Sequence, residues 1–196
     1  MLGFFLSRLF LVFIAFWVFV RSGGRLPSHT RLLWGLFILS FAFTALAALS
    51  PSSFSGLRAV HGSLQRFEAT VGMASLLGAA WLLVQYRGAS RQFLAGAVGS
   101  GLAVYMVLLS PKMLPWVQVV PPITSIAVLL IACLGLIRRQ QNALWLLVGM
   151  MGFIVSLKMN ASPEFPRQAM LQAVFVGRCF WGIRPPIDVG RGQLFG

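Results

Sequence analysis

Apolar residues occupy this chain in long blocks, and the polar residues fall in short intervals between them. Blocks at residues 2–20, 32–49, 69–86, 93–109, 117–137 and 143–157 read as six membrane-crossing helices, and a seventh, shorter block covers 169–183. The pattern predicts an all-α, polytopic helical bundle forming one domain over residues 1–183, with a short basic tail at 184–196. Within residues 50–73 the blocks give way to a two-faced pattern. Leu57, Val60, Leu64, Phe67 and Val71 recur at spacings of three and four, while Arg58, His61, Gln65 and Glu68 repeat the same spacing on another face. This stretch therefore predicts an amphipathic helix that starts at a membrane surface, with Ser52, Ser53 and Ser55 as candidate caps, and turns continuously apolar from Ala69.

The connectors refine the pattern. RSGGRLPSHTR after the first block is too rich in Gly, Pro and Ser to continue a helix, and it places His29 in a loop. Arg87 and Arg91 bracket a short turn, which makes the third and fourth blocks antiparallel neighbours. The prolines of SPKMLPWVQVVPP predict extended or turned backbone, with Pro121 and Pro122 kinking a fifth helix that starts near Val117. Small residues recur four apart, as Ser40 with Thr44 and Ala48, Ala74 with Gly78, Gly96 with Ser100, Ala95 with Gly99, Ala97 with Gly101, and Gly152 with Ser156; such seams let helices approach closely. The first block is ringed by Phe4, Phe5, Phe10, Phe13, Phe16, Trp17 and Phe19, which suits contact with lipid or a partner, and Arg8 lies near enough to its start to reach headgroups.

Composition agrees with a membrane residence. The 196 residues are 58% hydrophobic and 10% charged, with mean hydropathy +0.86, more apolar surface than a soluble domain of this size can bury. The net charge of +13 raises the question of nucleic acid. The basic residues, however, sit singly or in pairs at the ends of apolar blocks, where they contact anionic headgroups and fix orientation, and no soluble segment is large enough for a nucleic-acid domain. With seven spans, nine basic residues share one side against five on the other; the positive-inside rule then places the N-terminus outside and the C-terminus in the cytoplasm. The excess of arginine over lysine fits a GC-rich genome, and so a bacterial inner membrane. Residues 2–20 are too long for a signal-peptide core and carry no basic flank before them, so they read as a retained helix. Asn160-Ala161-Ser162 matches the glycosylation triplet on the outer side.

The chemical inventory is thin. Two histidines and three acids are too few for a hydrolytic metal site, and His61 and Glu68, seven residues apart on one helix, are too far separated to chelate one ion. Cys133 and Cys179 read as packing thiols. Neither a GxSxG elbow nor a phosphate-binding Gly-Lys-Ser/Thr loop is present. Seven spans with a histidine just after the second resemble the layout of the alkaline-ceramidase-like membrane hydrolases. Those enzymes carry clustered histidines, including a pair on the last helix, and here none follows His61, so the resemblance stops at layout.

The expected function is accordingly a non-catalytic accessory or scaffolding subunit with membrane-protein partner chains. The alternatives are a small-solute or lipid transporter built on the kinked fifth helix, and a membrane enzyme or cofactor protein centred on His61 and Glu68. In the last case His61 would ligate a haem or chlorophyll-type pigment, or Glu68 would join Arg66 or Arg178 in a polar site for a headgroup or quinone. The candidate site residues are thus Arg58, His61, Gln65, Arg66 and Glu68. The ordinary alternative for all five is a charged helix face lying in water or among headgroups.

Overall fold

The computed structural model describes residues 2–22, 26–49, 55–85 and 87–158. Within them the chain forms α1 (Leu2–Ser22), α2 (Ser28–Ala47), α3 (Ser55–Phe67), a π-helical turn (Glu68–Gly72), α4 (Met73–Gln85), α5 (Arg91–Leu108), a 3-10 segment (Pro111–Gln118), α6 (Val120–Ile137) and α7 (Gln141–Lys158). All described regular structure is helical. Four stretches are long and apolar enough to cross a membrane: Ser28–Ala47, Ala59–Gln85, Arg91–Leu108 and Pro115–Ile137, with a shorter apolar helix at Asn142–Ile154. The block at 169–183, Cys179, Arg178, the Asn160 triplet and the tail lie outside the described residues.

α4 is the axis of the bundle. It packs against α2, α5, α6 and α7, and almost every residue from Met73 to Val84 is buried, as expected of a helix apolar all round. α2 lies along α4 and contributes Leu33, Trp34, Phe37, Ile38 and Phe41 to the core. Phe41 meets Phe153 of α7 edge to face at 5.7 Å, an arrangement that matches the ring quadrupoles. α1 packs on α2 through Leu11, Ala15 and Val18, a stripe at helical spacing, while Phe10, Phe13, Phe16 and Trp17 face outward, as the aromatic ring of that block led one to expect.

The described connector residues 26–27, 87–90 and 138–140 converge at one end. The Ala89 N–H donates to Thr30 Oγ1 at 2.9 Å, tying the start of α2 to the α4–α5 turn. Gly135 of α6 lies against Val84 and Ala143, so α4, α6 and α7 meet there too. Arg21, Arg31, Arg87, Arg91, Arg138 and Arg139 gather at this basic end, with Arg21 over the Trp17 ring at 5.3 Å and Arg31 over Phe19 at 5.4 Å.

Several local expectations need correction. α2 begins at Ser28, so His29 sits in a first helical turn and not in a loop; Pro27 stands where its fixed φ and missing N–H cost nothing. Pro121 and Pro122 open α6 instead of kinking it, for the same reason, and of the extended or turned backbone expected before them residues 111–118 take the turned form, a 3-10 helix. Cys133 is exposed on α6, not a packing thiol. Of the small-residue seams, the Gly101 row of α5 packs on the π turn and α4, whereas Gly96, Gly99 and Gly152 face open space.

Candidate functional site

The amphipathic stretch and the third apolar block are parts of one continuous helical path, interrupted only in winding. A single π turn inserts one residue, which rotates everything before it by about 100° relative to everything after it. The turn has visible supports. Thr70 Oγ1 donates to the Arg66 carbonyl at 2.8 Å and lies 3.4 Å from that of Phe67, satisfying acceptors that the wider winding releases. On α2, Ser40 Oγ occupies the space a side chain on Gly72 would need; on α5, Gly101 rests on the Val71 backbone. Packing from two neighbours thus clamps the turn.

The rotation decides where Glu68 points. Its half-buried carboxylate is within hydrogen-bonding reach of the Thr44 hydroxyl of α2, and the charge of Arg8 on α1 is near enough to act on it through space. The Thr44 hydroxyl also donates to the Ser40 carbonyl at 2.9 Å, so its one proton has two competing acceptors. α1 packs on α2, and so do α3 and the π turn that carries Glu68.

The other candidate residues divide. His61 shares the helical face of Glu68, about 10 Å nearer the start of α3, and its Nδ1 is buried with no hydrogen-bond partner. A histidine that ligates a pigment iron or magnesium is normally oriented by a hydrogen bond from its second nitrogen, and that bond is not made here. Gln65 is exposed. Arg66 lies two residues from Glu68, hence on nearly the opposite face, and the positive charge that acts on Glu68 is that of Arg8. Arg58 belongs to α3, but its side chain is outside the described set. Phe67 stacks edge to face on Tyr105 of α5 at 6.2 Å, closing that side. Deeper along α4, Ser75 Oγ is buried without a partner.

Reasoning from the sequence missed Arg8 and Thr44 as site residues. Arg8 reads as a snorkelling side chain and Thr44 as part of a packing seam. A signal was present: at the non-basic end, Arg8 and Glu68 are oppositely charged residues set within apolar helices.

Among the described residues no three His, Cys, Asp or Glu side chains are grouped to hold a metal ion. What the arrangement offers is a half-buried carboxylate with a hydroxyl beside it and a guanidinium charge acting on it from a neighbouring helix. A second, apolar feature lies between α5 and α6, a laterally open groove of about 480 Å³ floored by Leu77, Gly78 and Trp81 of α4. Compared with protein families, curated proteins and solved structures, the chain matches none.

Proposed function

We propose that this chain is a non-catalytic integral membrane protein of six or seven spans that serves as an accessory or scaffolding subunit of a larger membrane complex. The carrying observation is the position of α5. Its apolar window is 11% buried, against 67% for the helix through the π turn, so it is attached to the bundle along a narrow strip. Outward from that strip run Ala95, Gly99 and Ala103, each four residues apart and exposed, with open space beside Gly99. Lipid tails gain nothing from small residues, whereas a partner helix gains close backbone approach. The α5 face and the adjoining groove are the docking surface in this reading, and the exposed aromatic face of α1 is a second contact area.

In this reading residues 169–183 cross as a seventh span beside α1 and α7, the positive-inside rule then favours the basic end in the cytoplasm and the N-terminus outside, and the membrane is taken as a bacterial inner one. The transporter alternative loses its kinked fifth helix, because Pro121 and Pro122 start α6.

The test is purification in mild detergent with mass spectrometry of co-eluting chains, for the native protein and for Gly99→Leu. Stoichiometric partner chains that are lost from a still-folded Gly99→Leu protein support the subunit role. A single monomeric species from the native source refutes it.

A further inference from the structure

We propose that the groove between α5 and α6 seats an anionic phospholipid, with one acyl chain lying against α4 and the phosphodiester held by Arg138 at the basic end. The inference rests on the bundle being membrane-embedded and goes beyond the subunit role. In that role the lipid fills the groove part of the docking surface, and the row of Ala95, Gly99 and Ala103, on another face of α5, stays open to a partner helix.

The lining selects the tail. The groove of about 480 Å³ opens sideways, and among its described lining residues only the Ser100 hydroxyl and the Trp81 indole N–H are polar. The hydroxyl already donates to the Ala97 carbonyl at 2.9 Å. A polar solute therefore finds no partner deep in the groove, whereas a hydrocarbon chain leaves no group unmet. At Gly78 the surfaces of α4 and α5 already touch, since a methyl there would stand 3.2 Å from the Phe93 ring. The groove is thus closed toward the core and open toward the bilayer.

Charge at one mouth selects the head. Along α6 the groove face runs through Ala127, Leu130 and Ile131 and continues at helical spacing through Leu134 to Arg138, which is exposed and about 10 Å beyond Ile131. Along α4 it reaches Trp81, which is 42% exposed and four residues from the end of that helix, a depth at which an indole N–H meets ester oxygens. Arg91 opens α5 two residues before Phe93, on the other side of the mouth. From groove to rim the order is hydrocarbon, hydrogen-bond donor, guanidinium. That is the order of sites an acyl chain, its ester and its phosphate require. Glu68, the one carboxylate among the described residues, is at the opposite end of the bundle, so no described acid competes for Arg138. Phosphatidylcholine carries the same phosphate, but its trimethylammonium would meet the arginines of the basic end, and a net anionic head is preferred.

The experiment reconstitutes the full chain into phosphatidylcholine nanodiscs containing a minor share of phosphatidylglycerol and counts retained lipids by native mass spectrometry. One phosphatidylglycerol per chain should be enriched about tenfold over phosphatidylcholine, the factor expected of one charge-assisted contact. Arg138→Gln should remove the preference by losing the head, and Ala127→Phe should remove it by filling the groove. Lys112→Gln, at the opposite end, should leave it intact. Equal retention of the two lipids overturns the proposal. So does a preference that survives Ala127→Phe, which would be attraction to surface arginines without a seat. Should Ala127→Phe fail to fold, Leu130→p-benzoylphenylalanine decides, because Leu130 is 61% exposed and lines the groove. Photo-crosslinks to phosphatidylglycerol are expected. Crosslinks in native membranes to residues 169–183, to a second copy or to a partner chain overturn the lipid assignment. The last of these leaves the subunit reading standing, while lipid crosslinks from a protein that co-purifies with no other chain sink that reading alone.

Discussion

Gly101 of α5 rests on the backbone of Val71, so close that a methyl group at position 101 would stand 2.8 Å from the Val71 Cα. Val71 belongs to the π turn, and backbone cannot swing aside as a side chain can. This contact is where α5 is fastened to the helix that carries Glu68.

Gly101→Ala should therefore destabilise the bundle by about 1–3 kcal/mol, the usual cost of overpacking. Gly96→Ala and Gly99→Ala, which meet open space, should be neutral or slightly stabilising through better helix propensity. Thermal unfolding of the three variants in detergent separates them. Equal melting temperatures would mean that α5 is not seated on the π turn.

Arg8 and Glu68, on different helices, act on each other through their charges and should show thermodynamic coupling. Arg8→Gln and Glu68→Gln each strand a charge in an apolar setting, whereas the double variant strands none. A double-mutant cycle should give a coupling energy of at least about 1 kcal/mol, the double variant being more stable than the sum of the singles implies. Additive effects would show that the two side chains do not interact.

Arg139 closes α6 with φ of 55°, in the left-handed region, and its N–H and that of Gln140 donate to the carbonyls of Leu136 and Gly135. A residue with a side chain is disfavoured there, so Arg139→Gly should stabilise by about 1 kcal/mol. The neighbouring Arg138→Gly, at φ of −83°, should not. A lower melting temperature for Arg139→Gly would point instead to a role for its charge at the basic end.

Thr30 is 6% exposed and accepts the Ala89 N–H from across the bundle. Thr30→Val keeps the shape and leaves that N–H unsatisfied, which should cost about 1–3 kcal/mol. Hydrogen exchange at Ala89 should accelerate by more than at Phe93, whose N–H is held locally by the Ser90 side chain. Unchanged exchange at Ala89 would deny the tie between α2 and the α4–α5 turn.

Much of the architecture was legible in the residue order, because apolar blocks and helical spacing are local properties. Arg58, His61 and Gln65 lie on α3 and Glu68 opens the π turn that continues it, and the short turn between Arg87 and Arg91 does join packed neighbours. Proline was harder to place. The same Pro-Pro pair serves to kink a helix or to start one, and which it does depends on where the preceding 3-10 segment ends.

The sequence by itself determined an all-helical chain with stretches able to cross a bilayer, a basic excess at one set of helix ends, and the polar stretch on which the site is built. Only the tertiary structure decided which polar residues meet. Glu68 stands within hydrogen-bonding reach of Thr44 where one extra residue is wound into the helix at 68–72, and that winding is held by contacts with Ser40 and Gly101, remote in sequence. Periodicity records the phase of a helix within one run of residues; the phase between two runs, and so the partner of a buried charge, is set by the neighbours that pack on the joint.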